Sequence, residues 1–396
     1  MTSGGPLQGL RVLEFAALGP APLGAMLLAD LGAQVLSIER AAPPGRGAQA
    51  VFEPELDVLR RNRQVLRLDL KQARDLRVAR RLAEGAEVLI EGLRPGVMER
   101  LGLGPEDCLR SNPRLVYARM TGWGQHGPLA ASAGHDINYL ALSGMLHAIG
   151  EPGGKPVVPL NLVADGGAGG MMLAFGVLAA LTHARATGQG QVVDAAMAEG
   201  CALLGSMIHT LRAMGSWNGR RGDNLLDGGA YFYATYACAD GRHVAVGAIE
   251  PEFHERLLRG LGLDPAEFEG QHERALWPQR RQRLAAVFAT RSREAWCELF
   301  AGSEACVSPV LDFDEAPRHP HHAARGAFVD LGGVRQAAPA PRFGATPAPL
   351  PRRPVQADAA ALRAWGLDAA LAAELGAELG AELGAEPRPD PGVRGA

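Results

Sequence analysis

Two stretches of the sequence place ionisable side chains in short polar breaks beside apolar runs. Gly134-His135-Asp136-Ile137-Asn138-Tyr139 carries an imidazole, and Pro159-Leu160-Asn161-Leu162-Val163-Ala164-Asp165-Gly166-Gly167 carries a carboxyl group a helix further on. A histidine and a carboxylic acid on opposite sides of one carbon can remove a proton from one face and return one to the other. An imidazole titrates near about 6.5, so it can act as base or acid close to neutral pH. Asp165 directly precedes two glycines and an apolar run, where it could simply serve as an N-cap. The helix dipole would then lower its pKa and burial would raise it, and the sequence leaves that balance open. Asp136 also has two readings. Its side chain could cap a helix, or its peptide N–H, at a helix start, could donate to an oxygen that gathers negative charge.

These residues need a scaffold. The 396-residue chain, 47% hydrophobic and 21% charged, can bury a large core in more than one domain or one elaborate domain. Lys and Arg number 40 against 43 Asp and Glu, so no basic excess points to nucleic acid or a membrane surface. Cys108, Cys201, Cys238, Cys297 and Cys306 are odd in number, widely spaced and without a CxxC pair, which argues for a reducing compartment. Met1 to Gln8 lacks export-signal features and Arg394-Gly395-Ala396 is not a peroxisomal tripeptide, so the expected location is the cytoplasm.

Leu10–Phe15 reads as a strand, Pro20–Leu31 as a helix and Gln34–Ile38 as a strand, a βαβ unit that implies a parallel sheet. The turn between them lacks GxGxxG, so a dinucleotide site is unsupported although the sheet is Rossmann-like. Val65–Leu68, Val88–Ile90 and Leu115–Met120 continue the strands, and Gly134–Gly144 starts a helix that Asp136 or Asn138 could cap. Ala168–Leu181 is shorter than the roughly 20 residues that cross a bilayer and is expected to be a buried core helix. Ala195–Met214 reads as one helix, followed by a polar, Gly-rich connector to Gly229. Asp240-Gly241 marks a hairpin, and helices over 251–261, 278–290 and 293–300 complete a smaller α+β region. Residues 316–354 read as a Pro- and Ala-rich linker with a turn at Gly332-Gly333. The Glu-Leu-Gly-Ala repeat beyond 371 reads as a frayed tail, because each glycine weakens a helix by about 1 kcal/mol. His126 is expected at the surface. His319, His321 and His322, with no Cys, Asp or Glu in their segment, are expected to be linker residues, and no metal is expected.

Arg94-Pro95-Gly96-Val97, Asn112-Pro113-Arg114-Leu115, Thr121-Gly122-Trp123-Gly124, the Gly134–Tyr139 stretch, Gly188-Gln189-Gly190-Gln191-Val192-Val193-Asp194 and Gly247-Ala248-Ile249-Glu250-Pro251 follow in that order. Together they resemble the racemase branch of the class III CoA-transferase superfamily, over about residues 7 to 345. The resemblance implies an α/β fold with a doubly wound, Rossmann-like parallel sheet in a large domain built from both chain ends, plus a smaller α+β domain, in an interlocked homodimer. Its expected parts are 1–193 (large domain, N-terminal part), 194–229 (linker), 230–315 (small domain), 316–332 (linker), 333–370 (large domain, C-terminal part) and 371–396 (low-complexity tail). The implied reaction is epimerisation of 2-methylacyl-CoA thioesters without a cofactor, CoA being part of the substrate. By this resemblance His135 and Asp165 flank the substrate, and Glu250 from the other subunit holds the imidazole. Asp136 donates its peptide N–H, and Gly134, Asn138 and Tyr139 shape the substrate site.

CoA carries phosphates, so cations must meet it. Arg40 and Arg94 follow predicted strands, where open α/β sheets bind ligands, and Arg60, Arg61 and Arg63 form a cluster that could contribute or simply face solvent. The acyl chain would need an apolar surface drawn from residues such as Met145, Met171, Met172, Met197, Met207 and Met214. CoA transfer with Asp165 as nucleophile is the alternative reaction, and a non-catalytic acyl-CoA binder the third class.

Overall fold

The computed structural model describes residues 4–41 and 53–384. Two compact units emerge: one gathers Met1–Tyr139, Asn161–Gly200 and Gly326–Ala396, the other Leu140–Leu160 and Cys201–Arg325. Residues 140–160 therefore group with the second unit. In the first, β1 (Arg11–Phe15), β2 (Gln34–Arg40), β3 (Arg63–Leu68), β4 (Val88–Glu91), β5 (Val116–Thr121) and β6 (Gln191–Ala196) pair in parallel. Leu13, Leu36, Leu66, Leu89 and Tyr117 enter one core with the helix Ala73–Gly85. The alternate residues Val12, Val35, Val65, Val88 and Val116 are buried as well. Both faces are covered, which is why the strands read as nearly unbroken apolar runs.

The helix Pro20–Asp30 opens on a proline after Gly19, whose φ of 75° suits a glycine at the sharp exit from β1. The run expected to be a buried core helix begins as a π-helical stretch, Leu162–Met171, and continues as the α-helix Met172–Thr187. Only one side is buried: Leu173, Val177 and Leu181 are covered, whereas Met171 and Phe175 are 62% and 69% exposed. The 26-residue run is long and apolar enough to cross a membrane by length and composition. Its covered side packs on the helix Pro20–Asp30 and on β5 and β6.

The second unit holds an antiparallel sheet of β7 (Tyr233–Ala237), β8 (His243–Gly247) and β9 (Val307–Pro309). Helices Pro251–Gly260, Trp277–Phe288 and Arg293–Phe300 join it around Tyr231, Phe232, Trp277, Phe288 and Trp296. The helix expected over Ala195–Met214 is two, Met197–Leu204 and Ser206–Ala213, divided at Gly205.

Residues 316–354 are more than a linker. They include the helix Pro320–Arg325 and a hairpin of β10 (Phe328–Leu331) and β11 (Val334–Ala337), turning on Gly332 and Gly333 at φ 63° and 84°. A two-residue hairpin turn with positive φ at both positions requires such residues. β12 (Val355–Gln356) then adds to the sheet edge, giving the order β12-β3-β2-β1-β4-β5-β6. The order reverses between β1 and β4, where ligands of open parallel sheets bind beyond the strands' carboxyl ends. The tail expected to fray from 371 instead forms the helix Ala369–Gly384, with Asp368 accepting from the Leu371 N–H at 2.9 Å. Ala372 and Leu375 are buried in the core with Leu362 and Trp365, and leucine burial outweighs the glycine cost. The end of the expected tail, 385–396, lies outside the described residues.

Candidate active site

His135 immediately precedes the helix Asp136–Leu142 and is exposed. Asn138 reaches back so that its Oδ1 accepts from the His135 N–H at 3.0 Å, half of a capping box. Beneath, the Tyr139 hydroxyl donates to the Gly134 carbonyl, and the ring packs edge-on against Trp123 with centroids 4.7 Å apart. A Cβ on Gly122 would lie 2.1 Å from the Tyr139 ring and one on Gly134 would lie 2.8 Å from it. Both glycines are required by that close approach, which fixes the backbone leading into His135.

Asp165 falls within the first turn of the Leu162–Met171 stretch, whose N-cap is Asn161. It is therefore not the cap, and its Oδ2 accepts from the Asn161 amide at 3.2 Å. Burial pushes its carboxyl above the ordinary aspartate range; the Asn161 bond opposes this, the Asp136 charge adds to it and the His135 ring pulls the other way. Gly19, in the loop after β1, lies beside Asp165, since a Cβ there would sit 3.8 Å from its carboxylate.

Asp136 joins the two segments. Its Oδ2 accepts from the peptide N–H groups of Ala164 and Asp165 at 2.8 Å each, so the side chain caps the Asp165 segment rather than its own helix. Asn138 and Tyr139 donate their N–H groups to the His135 carbonyl at 2.8 and 3.4 Å, whereas those of Asp136 and Ile137 have no intrahelical partner and can donate outward. Sequence reasoning missed Asn161 and the cross-link from Asp136. The Asn161-to-Asp165 spacing of four was the visible sign of the first.

A cavity of about 400 Å³ lies over β1–β3, lined by Glu14, Ala17, Leu18, Ser37, Arg40 and Arg60 among others. Arg40, exposed at the end of β2, faces it. Arg94 is exposed after β4 and does not line it. The arginines of the 60–63 cluster are held in ion pairs, those of Arg60 and Arg63 in the cavity wall. Arg61, expected to bind substrate, is instead buried, donating to Asp30 at 2.9 and 2.5 Å, to Gln336 at 2.8 Å and to the Ala337 carbonyl at 2.8 Å. Arg63 pairs with buried Glu14 at 2.9 Å and holds the Pro22 carbonyl at 2.6 Å, and Arg60 pairs with Glu39. Glu250 stands exposed in the second unit as the N-cap of Pro251–Gly260, with no side-chain cap bond. His319 and His321 each contact His322 ring to ring. Among the described residues no three His, Cys, Asp or Glu side chains converge as metal ligands would.

Residues 7–359 match the model of CoA-transferase family III. The chain belongs to that family. It is 46% identical over 343 residues to alpha-methylacyl-CoA racemase of Mus musculus, covering 86% of this chain and 87% of the relative. It is 48% identical over 323 residues to alpha-methylacyl-CoA racemase of Homo sapiens, covering 82% of each. A CAIB/BAIF family protein from Brucella suis superposes with a TM-score of 0.76 at 25% identity, covering 96% of this chain and 99% of that one. The family's α/β architecture, with its large parallel sheet, is the one described above.

Proposed function

We propose that this chain is an isomerase that interconverts the (2R) and (2S) forms of 2-methylacyl-CoA thioesters. The observation that carries the reading is the Asp136 cross-link, which ties the backbone of Asp165 to the residue next to His135. Neutral His135 takes the proton alpha to the thioester carbonyl and becomes an imidazolium; negative charge moves onto the thioester oxygen, facing the Asp136 peptide N–H. The Asp165 carboxyl then gives its proton to the opposite face, and in the reverse direction the two exchange roles. Two proton carriers suffice for this step, so the reaction as proposed calls on no metal or cofactor.

The cavity beside β1–β3 is proposed to take the nucleotide end of CoA, with Arg40 at its phosphates and Arg94 beyond β4 as a second cation. Leu18 lines that cavity and Gly19, next in the chain, abuts Asp165, so an extended thioester could run along this loop. Gly134, Asn138 and Tyr139 are assigned to shaping the site around His135, and Glu250 of a second subunit to holding the imidazole, in a homodimer. Cys108, Cys238, Cys297 and Cys306 are free thiols, which suits the proposed cytoplasmic location.

CoA transfer through an Asp165 anhydride is the competing reaction of the family. A nucleophile must be ionised, and the upward push on the Asp165 carboxyl favours an acid instead. Incubating one enantiomer of a 2-methylacyl-CoA in D2O tests the proposal: alpha-deuterium enters and the opposite enantiomer accumulates. Neither event, with the protein folded, would end it.

A further inference from the structure

The carboxylate of Asp136 is bound on one side only. The residue is 7% exposed; Oδ2 accepts two peptide N–H groups, while Oδ1 is buried and meets no hydrogen-bond donor. A buried charged oxygen without a donor is costly. Asparagine could accept both N–H groups through its single amide oxygen, since that oxygen has two lone pairs, and would do so without burying a charge. Capping alone therefore does not account for an aspartate here. The charge faces Asp165, whose other ionisable neighbours are His135 and Tyr139.

Resting on the racemase reading, we infer that Asp136 is a positioning residue: its side chain locks the Asp165 backbone to the His135 segment, and its negative charge, met by donors on Oδ2 alone, disfavours a second charge on Asp165 between turnovers. The geometry supplies the lock, through two 2.8 Å bonds to consecutive peptide groups. Electrostatics supplies the bias, because a second negative charge beside Asp136 is disfavoured. The upward displacement of Asp165, to which burial contributes first and Asp136 also adds, has the same sign.

Asp136→Asn preserves both acceptor bonds and removes the charge; Asp136→Ala removes both. The Asn variant is expected to keep the wild-type melting temperature and a KM for acyl-CoA within about twofold, while losing at least about tenfold in kcat. In carboxyl infrared difference spectra, referenced to Asp165→Asn, the Asp165 midpoint moves to lower pH. The Ala variant, with the lock gone, loses on the order of 10²-fold in kcat. An unchanged Asp165 midpoint in Asp136→Asn overturns the electrostatic role, and wild-type exchange by Asp136→Ala overturns the lock. If Asp136→Asn does not fold, Asp136→Ser, which keeps an uncharged acceptor, takes its place. The infrared midpoint is read without turnover, so absence of exchange by the wild-type protein would refute the racemase reading and leave this inference separately testable.

Discussion

His135 stands exposed at a helix start while Asp165, some thirty residues on, is half covered, and the two therefore carry different risks under mutation. Replacing His135 with alanine removes only an exposed ring, so folding should survive. As one of two proton carriers it should matter greatly to turnover, by about 10²- to 10⁴-fold in racemisation measured by chiral separation of the thioesters. A transferase working through Asp165 does not need that imidazole. If His135→Ala moved CoA between acyl groups at full rate and never racemised well in the wild type, the assignment of roles would have to be reversed. The expected pH behaviour follows from the sign at Asp165. A carboxyl raised above its ordinary value keeps its proton further toward neutrality, so the acid partner remains available where a free aspartate would already be ionised.

At the scale of elements, the second unit carries a buried histidine that the proposed chemistry does not use. His254, in the helix Pro251–Gly260 that Glu250 caps, is 2.7 Å from the Tyr231 hydroxyl and surrounded by Phe232 and Phe268. Burial first, and then Arg280 and His272, bring its pKa down to about 4. An unfolded histidine takes up its proton near about 6.5, so the unfolded chain binds more protons between these values. Stability is unaffected above pH 6.5, falls as pH drops toward 4 and then levels. Linkage at 1.36 kcal/mol per pKa unit sets the full loss at about 3 kcal/mol. Urea unfolding at pH 4.5 and pH 7 should show the wild type losing about 2 kcal/mol more than His254→Gln, which keeps a polar partner for Tyr231 but cannot gain that charge. Equal losses would show that His254 is not held neutral by the fold. Elements of this kind differ in how visible they are in sequence. The sheet was legible because strands covered on both faces must be apolar throughout, and the Asp240-Gly241 hairpin because its turn demands those residues. The helix Ala369–Gly384 was not, since local glycine cost argued against it and the burial of Ala372 and Leu375 is a tertiary matter. The candidate site divides the same way. His135 and Asp165 stood out as ionisable groups in polar breaks, but Asp136 meets its partners 28 and 29 positions away and Arg61 meets Asp30 across 31. No local spacing rule reaches that far.

The whole molecule leaves apolar side chains uncovered on several helices. Met171 and Phe175, four residues apart, share one face of their helix run, and Leu142, Leu203, Leu204, Met207 and Met214 are exposed as well. Isolated exposed leucines are ordinary, but recurrent exposure of long apolar side chains on helices suits burial against a second copy of the chain. In the proposed homodimer, His135 and Asp165 of one subunit work with Glu250 of the other, and this arrangement has a consequence that no monomeric enzyme shares. His135→Ala and Glu250→Gln, each nearly inactive alone, should recover activity when co-refolded. In a mixed dimer one site collects both substitutions and its twin collects neither. With random pairing half the dimers are mixed and half of their sites intact, so about a quarter of the wild-type specific activity returns. If Glu250 instead served the histidine of its own chain, every site in the mixture would hold one defect and nothing would return. Sedimentation of the mixture separates that outcome from a failure to pair: dimers without activity would place Glu250 and His135 in the same subunit's site, whereas monomers would remove the dimer itself.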